Sequence, residues 1–120
     1  MKVLVFVKAP PETEAGEMYK DAEQERAARD AMSNYNDELV KAGVRLAVGG
    51  LQPSSNGARI NFNGDKVSVT DGPFTEAKEL VIGFWIWQVR SMEEAIEWAK
   101  RCPCPLGDVG ALELRPIHGD

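Results

Sequence analysis

The stretch Asp71-Gly72-Pro73-Phe74-Thr75-Glu76-Ala77-Lys78-Glu79 puts three carboxylates and one amine within nine residues, beside a break in the backbone pattern. A carboxylate next to a lysine can hold a shifted pKa and act as a general base in a partly dry site. Asp71, Glu76 and Lys78 are therefore the candidate catalytic groups. The plainer use of these residues is structural. Asp before Gly-Pro commonly caps backbone N–H groups in a turn, and Lys78 and the glutamates can simply pair on the surface. Both readings stand on the residues alone.

The candidate ligand contacts are Tyr35, Gln52, Arg59, Phe74 and Trp85. Tyr35 falls on the apolar stripe of a predicted helix, where its hydroxyl needs a partner, either a core neighbour or a ligand. Gln52 follows a glycine pair in a loop. Arg59 opens a predicted strand and suits an anionic ligand or a cross-strand charge pair. Phe74 ends the Asp-Gly-Pro-Phe break, and Trp85 is a core anchor or a pocket wall. Cys102 and Cys104, with one residue between them, are badly placed for an ordinary disulfide. With His118 they fall short of a four-ligand zinc site. His118 has no nameable acid–base partner. The sequence lacks GxSxG, P-loop, GxGxxG and HExxH motifs, which disfavours the enzymes built on them. Neither a metal nor a cofactor is expected.

The elements that must position these groups follow from periodicity. Residues 2–8 alternate Val3, Val5 and Val7 with Leu4 and Phe6, a strand apolar on both faces. A helix begins between Met18 and Glu23. Ala28, Met32, Tyr35, Leu39 and Ala42 share one face, and Gly43 ends it. Residues 44–51 form a second strand. Residues 58–62 and 66–70 flank Asn63-Gly64 as a hairpin. Residues 80–89 alternate Leu80, Ile82, Phe84 and Ile86 with Val81, Trp85, Trp87 and Val89, again apolar on both faces. Ser91-Met92-Glu93-Glu94 reads as a capping box, with Glu94 reaching back. The helix it opens turns Met92, Ala95, Ile96 and Ala99 inward and stops before Pro103 and Pro105. Residues 111–117 make a last strand, with Leu112 and Leu114 opposite Glu113 and Arg115.

The chain has 120 residues, 43% hydrophobic and 28% charged, which excludes a disordered or collagen-like polypeptide and fits one domain over residues 1–120. Net charge is −5, and residues 11–41 hold nine acids against four bases. The plain reading of that excess is a solvated helix. An acidic chain without a basic stripe repels phosphate backbones, so no direct nucleic-acid partner is expected. Val3–Val7 is too short for a signal-peptide core or a membrane span, so the expected location is cytoplasmic, with no membrane partner.

The order β-α-β, hairpin, β-α-β is an α+β, ferredoxin-like split βαβ with an inserted β-hairpin and two helices on one sheet face. Two helices cannot cover both faces of a sheet, yet two strands are apolar on both. A second copy packed face to face resolves this, so the chain is expected to be a homodimer.

The segments YNDELVKAGVRL (35–46), GGLQPSS (49–55), KVSVTDGPFTEAKELVIGFW (66–85) and SMEEAIEWAKRCP (91–103) resemble the YCII-related proteins of the DGPF subgroup. The likeness runs from the first strand to Leu114-Arg115-Pro116. It implies a ferredoxin-like fold that forms a dimeric α+β barrel. Most DGPF proteins have no assigned reaction. Some relatives are encoded with, or fused to, extracytoplasmic-function sigma factors. A more distant branch includes a dehydrochlorinase, for whose wider family a histidine on the first helix and an aspartate have been proposed as an active pair. Residues 18–42 contain no histidine, so that chemistry does not carry over.

Two functions follow as expectations. One is a small-molecule binder or cofactor-independent lyase- or isomerase-like enzyme. Its pocket would lie between the first helix and the sheet near the DGPF loop, with Asp71 as base or anchor. The other is a non-catalytic module with a transcription-related protein partner, in which the DGPF loop is only a turn.

Overall fold

The chain runs β1 (Lys2–Ala9), α1 (Ala22–Lys41), β2 (Arg45–Gly50), β3 (Ala58–Asn63), β4 (Lys66–Asp71), β5 (Leu80–Gln88), α2 (Met92–Lys100) and β6 (Ala111–Pro116). This computed structural model describes residues 1–15, 19–103 and 110–119. Four strands form an antiparallel sheet in the order β2-β5-β1-β6, and β3 and β4 form a separate two-stranded sheet. The fold is mixed α+β, with helices packed on antiparallel sheet.

The core grows from the pairing of the two most apolar strands. β1 lies antiparallel to β5, with Val3 opposite Trp87 and Val5 opposite Trp85. The pleat sends Val3, Val5, Val7, Trp85, Trp87 and Val89 to one face, where Tyr35 and Leu39 of α1 and Ala95 of α2 cover them. Trp87 is the largest fully buried side chain. Its indole N–H meets no acceptor among the described residues, which nothing in the structure explains.

The other face carries Leu4 opposite Ile86 and Phe6 opposite Phe84. These four are only half-buried, because neither helix reaches them. Among the described residues, the apolar side chains on both faces of β1 and β5 are thus covered by helices on one side only. Val81, expected on the covered face, is 38% exposed. A register shift between Val7 and Lys8 sets it opposite Lys8, and so moves it to the uncovered face that carries Leu4 and Phe6.

Both helices start on side-chain caps. The Asp21 carboxylate accepts the Gln24 N–H at 2.7 Å, while Gln24 Oε1 accepts the Lys20 N–H at 2.6 Å. Gly43, just past α1, takes φ +73°, the left-handed position that glycine fills without strain. The expected stripe holds from Met32 through Leu39, but Ala42 is exposed at the cap. At α2, Ser91 Oγ accepts the Glu94 N–H at 3.1 Å. The second half of the box differs from expectation, because the Glu94 carboxylate lies 3.6 Å from Arg90 Nε. Ile96 is also corrected: it is 43% exposed. One residue past Ala95 it turns about 100° off the buried stripe, and Trp98 packs there instead.

In the hairpin, Asn63 pairs with Lys66, so the connecting residues are Gly64-Asp65 rather than Asn63-Gly64. Gly64 has φ +65°, and among the described residues none other than glycine has positive φ. Glycine at the first central position is what a type II′ hairpin turn requires.

Among the described residues, no helix is long and apolar enough to cross a membrane. Cys102 is half-buried, with Sγ 3.4 Å from the Pro103 carbonyl oxygen. Cys104, and with it the paired-cysteine reading, lies outside the described residues.

Leu39→Ala should cost about 2–5 kcal/mol by urea denaturation, since it empties a fully buried site. Ile96→Ser should change stability by no more than about 0.5 kcal/mol. A large loss from Ile96→Ser would contradict the orientation of α2.

Candidate functional site

Ser54 ties three chain segments together. A 3-10 turn over Pro11–Ala15 brings Glu14 to it, and Ser54 sits in a second such turn over Ser54–Asn56. The Ser54 backbone N–H donates to Glu14 Oε1 at 2.8 Å, and its hydroxyl donates to Glu14 Oε2 at 2.7 Å. The same hydroxyl oxygen accepts the Phe74 N–H at 3.1 Å. Gly72 lies so close that a Cβ there would run into the Ser54 carbonyl. Only glycine fits that approach. The Gly72 N–H donates to the Gly57 carbonyl at 3.0 Å, and the Gly72–Pro73 peptide is cis. The Asp-Gly-Pro-Phe segment is therefore docked onto the loop before β3.

A cavity of about 430 Å³ opens beside this junction. Glu14, Gln52, Ser54 and Asn56 supply its polar side chains, and Leu51, Phe74 and Leu80 are among its apolar walls. Asn56 Nδ2 donates to Gln52 Oε1 at 3.1 Å, which fixes the Gln52 amide. A smaller cavity, about 200 Å³, lies between α1 and strands β2 and β5. Gly50 and Gly83 pair across its floor. Asn36 and Trp85 line it, with Trp85 Nε1 donating to Asn36 Oδ1 at 2.8 Å.

The predicted site residues do not converge. Gln52 and Phe74 line the larger cavity and Trp85 the smaller; Tyr35, Arg59, Asp71, Glu76 and Lys78 line neither. The pocket expected between helix and sheet and the one expected at the DGPF loop are thus two separate cavities. Arg59 and Glu76 meet at 2.8 Å, and the Arg59 guanidinium lies 4.3 Å over the Phe74 ring. That hydrogen bond holds the Glu76 carboxyl below its ordinary value, so Glu76 is an ionised partner of Arg59. Arg59 pairs across the hairpin with Thr70. Asp71 and Lys78 are exposed, and Asp71 ends β4 opposite Ala58.

Tyr35 is buried, and its hydroxyl donates to the Trp98 carbonyl at 2.5 Å. Its ring meets Trp85 edge to face, with centroids 6.0 Å apart. Burial pushes the phenol well above its ordinary 10.0. These contacts make Tyr35 a bolt between α1 and α2. Sequence reading missed Glu14, Ser54 and Asn36. Glu14 and Ser54 are forty positions apart, and no local pattern joins them. Asn36 carried one signal, its place beside Tyr35 on the buried side of α1.

Helices over one face of an antiparallel sheet, with a docked loop beside a small cavity, define a small α+β domain. A family model for the YCII-related domain matches residues 1–118, and the chain belongs to that family. It is 33% identical over 95 residues to an uncharacterised protein of Rhizobium meliloti (strain 1021), a match covering 79% of this chain and 76% of that protein. Among solved structures it is similar to 5-chloro-2-hydroxyhydroquinone dehydrochlorinase (TftG) from Burkholderia phenoliruptrix AC1100 in complex with 2,5-dihydroxybenzoquinone. There the TM-score is 0.49 and identity 17%, over 99% of this chain and 96% of that one.

Two outcomes test the local geometry. Gly72→Ala should cost about 1–3 kcal/mol in urea and speed amide exchange at Phe74, because the new methyl group displaces the loop from Ser54. Unchanged exchange would contradict the docking. Folding favours the neutral Tyr35 phenol, so its contribution is present below the ordinary 10.0 and is lost as pH rises from there toward the raised folded value. The stability gap between the wild type and Tyr35→Phe should therefore shrink between about pH 9 and pH 11. Parallel stability curves for the two proteins would remove that account.

Proposed function

We propose that this YCII-related protein, as a member of the DGPF subgroup, binds a small molecule in the cavity beside Gly72–Phe74. The observation that carries the reading is the 430 Å³ space walled by Phe74 and edged by the Gln52 amide and the Glu14 carboxylate. Apolar walls with a few fixed polar groups are the usual make-up of a small-molecule site. Gln52 and Glu14 anchor the ligand, Phe74 packs against it, and the Arg59 guanidinium over the Phe74 ring steadies that wall. Asp71, with Lys78 and Glu76 nearby in sequence, is the candidate base for a cofactor-independent elimination or isomerisation, but it faces away from this cavity, so that role requires a site completed by a second copy. Trp85 belongs to the second cavity, and Tyr35 supports Trp85 from behind.

The strand order β2-β5-β1-β6 supports a ferredoxin-like split βαβ with β3–β4 as the insertion. The half-buried face of Leu4, Phe6, Phe84 and Ile86 supports a homodimer of the barrel type, formed sheet to sheet.

A fragment library screened by ligand-observed NMR tests the site. Hits should stabilise the protein, by about 2.7 kcal/mol at one hundred times their dissociation constant. Leu51→Trp, which fills the cavity, and Phe74→Ala should each weaken them at least tenfold. Hits that ignore both substitutions would place binding elsewhere, and a silent library against folded protein would end the small-molecule reading.

A further inference from the structure

The β3–β4 hairpin has two unlike faces. Cross-strand partners share a face, so Arg59, Asn61, Ser68 and Thr70 lie together on one, with Asn61 Nδ2 donating to Thr70 Oγ1 at 2.9 Å. This is the face from which Arg59 reaches Glu76 and Phe74. The opposite face pairs Ile60 with Val69 and Phe62 with Val67. All four of its side chains are exposed, Phe62 to 78%. A contiguous apolar patch of this kind marks an interaction surface. Among the described residues the hairpin also pairs with no third strand, and a two-stranded ribbon is only marginally stable in water without something packed on it.

The geometry points to a second copy of this chain as the occupant, with the apolar hairpin face forming half of the homodimer interface and closing over Asp71. This rests on the dimer reading above and extends it. Four strands about 4.8 Å apart and about six residues long offer roughly 400 Å² of sheet face. A stable specific interface takes about 800 Å² from each partner. The bare sheet is therefore too small alone. Two hairpin strands of the same length add roughly 200 Å², which brings the total for both copies to about 1,200 Å², the lower bound for such interfaces. One twofold partner covers both bare faces with a single kind of contact. Asp71 pairs with Ala58 at the base of the hairpin and so points to the same side as Ile60 and Phe62. In the single chain Asp71 is exposed and lines neither cavity; the second copy supplies its missing wall.

Sedimentation equilibrium on the wild type and on Phe62→Ser/Val67→Ser decides the matter. These side chains are exposed in the protomer, so the substitutions empty no core. The wild type should dimerise, and the double variant should raise the dimer dissociation constant at least tenfold. A dimeric wild type with an equally tight variant overturns the hairpin proposal and leaves the sheet-to-sheet dimer standing. A monomeric wild type overturns both. Hydrogen exchange on the unaltered protein gives a reading that does not depend on the variant's folding. Amides of residues 58–71 should gain protection as concentration rises through the dimer dissociation constant. Protection that stays constant overturns the proposal and assigns the hairpin face to a different partner.

Discussion

The pairing of β1 with β5 sets Val3, Val5 and Val7 beside Trp85 and Trp87, and both helices take their positions from that surface. Tyr35 and Leu39 reach it from α1 and Ala95 from α2, while the Tyr35 hydroxyl joins the helices through the Trp98 carbonyl. With one face consumed in this way, the same two strands leave Leu4, Phe6, Phe84 and Ile86 half-exposed on the other. A strand's alternation offers both surfaces at once, and two helices cover only one.

Beyond the sheet, order comes from contacts between loop backbone and a few polar side chains. The segment after β4 holds few buried side chains, yet it is fixed because Gly72 admits the Ser54 carbonyl and Phe74 donates to the Ser54 hydroxyl. Glu14 takes both remaining Ser54 donors and so carries the Pro11–Ala15 turn to the same point. Phe74 is then held between that junction and the Arg59 guanidinium, which in turn is neutralised by Glu76. The residues that looked most chemical in a row of letters thus divide their work. Glu76 and Arg59 brace the wall of a cavity, whereas Asp71 stands on the far side of the hairpin.

Much of the fold was legible in the residues because it depends on local chemistry. Alternation set the strands, Ser91 and Gly43 set helix ends, and the stripe through Met32, Tyr35 and Leu39 set the face of α1. The misplaced details concern one-residue choices that only packing settles. Ile96 and Trp98 compete for the inside of α2, and Asn63 joins the strand so that Gly64-Asp65 makes the turn. A single sequence contains family segments as well, and the match over residues 1–118 is to the YCII-related family as a whole.

The candidate site was legible as residue types but not as a place. The sequence by itself determined the elements, the apolar faces and the presence of an Asp-Gly-Pro-Phe break between two strands. Only the tertiary structure decided that Ser54 and Glu14 anchor that break, that Gln52 and Phe74 share a cavity without Asp71, and that Trp85 lines another. The physical reason is range. Periodicity and caps act over a few residues, whereas the contacts that build the site join positions twenty and forty apart, where the Glu14 and Ser54 side chains accept backbone N–H groups that nearly every residue possesses.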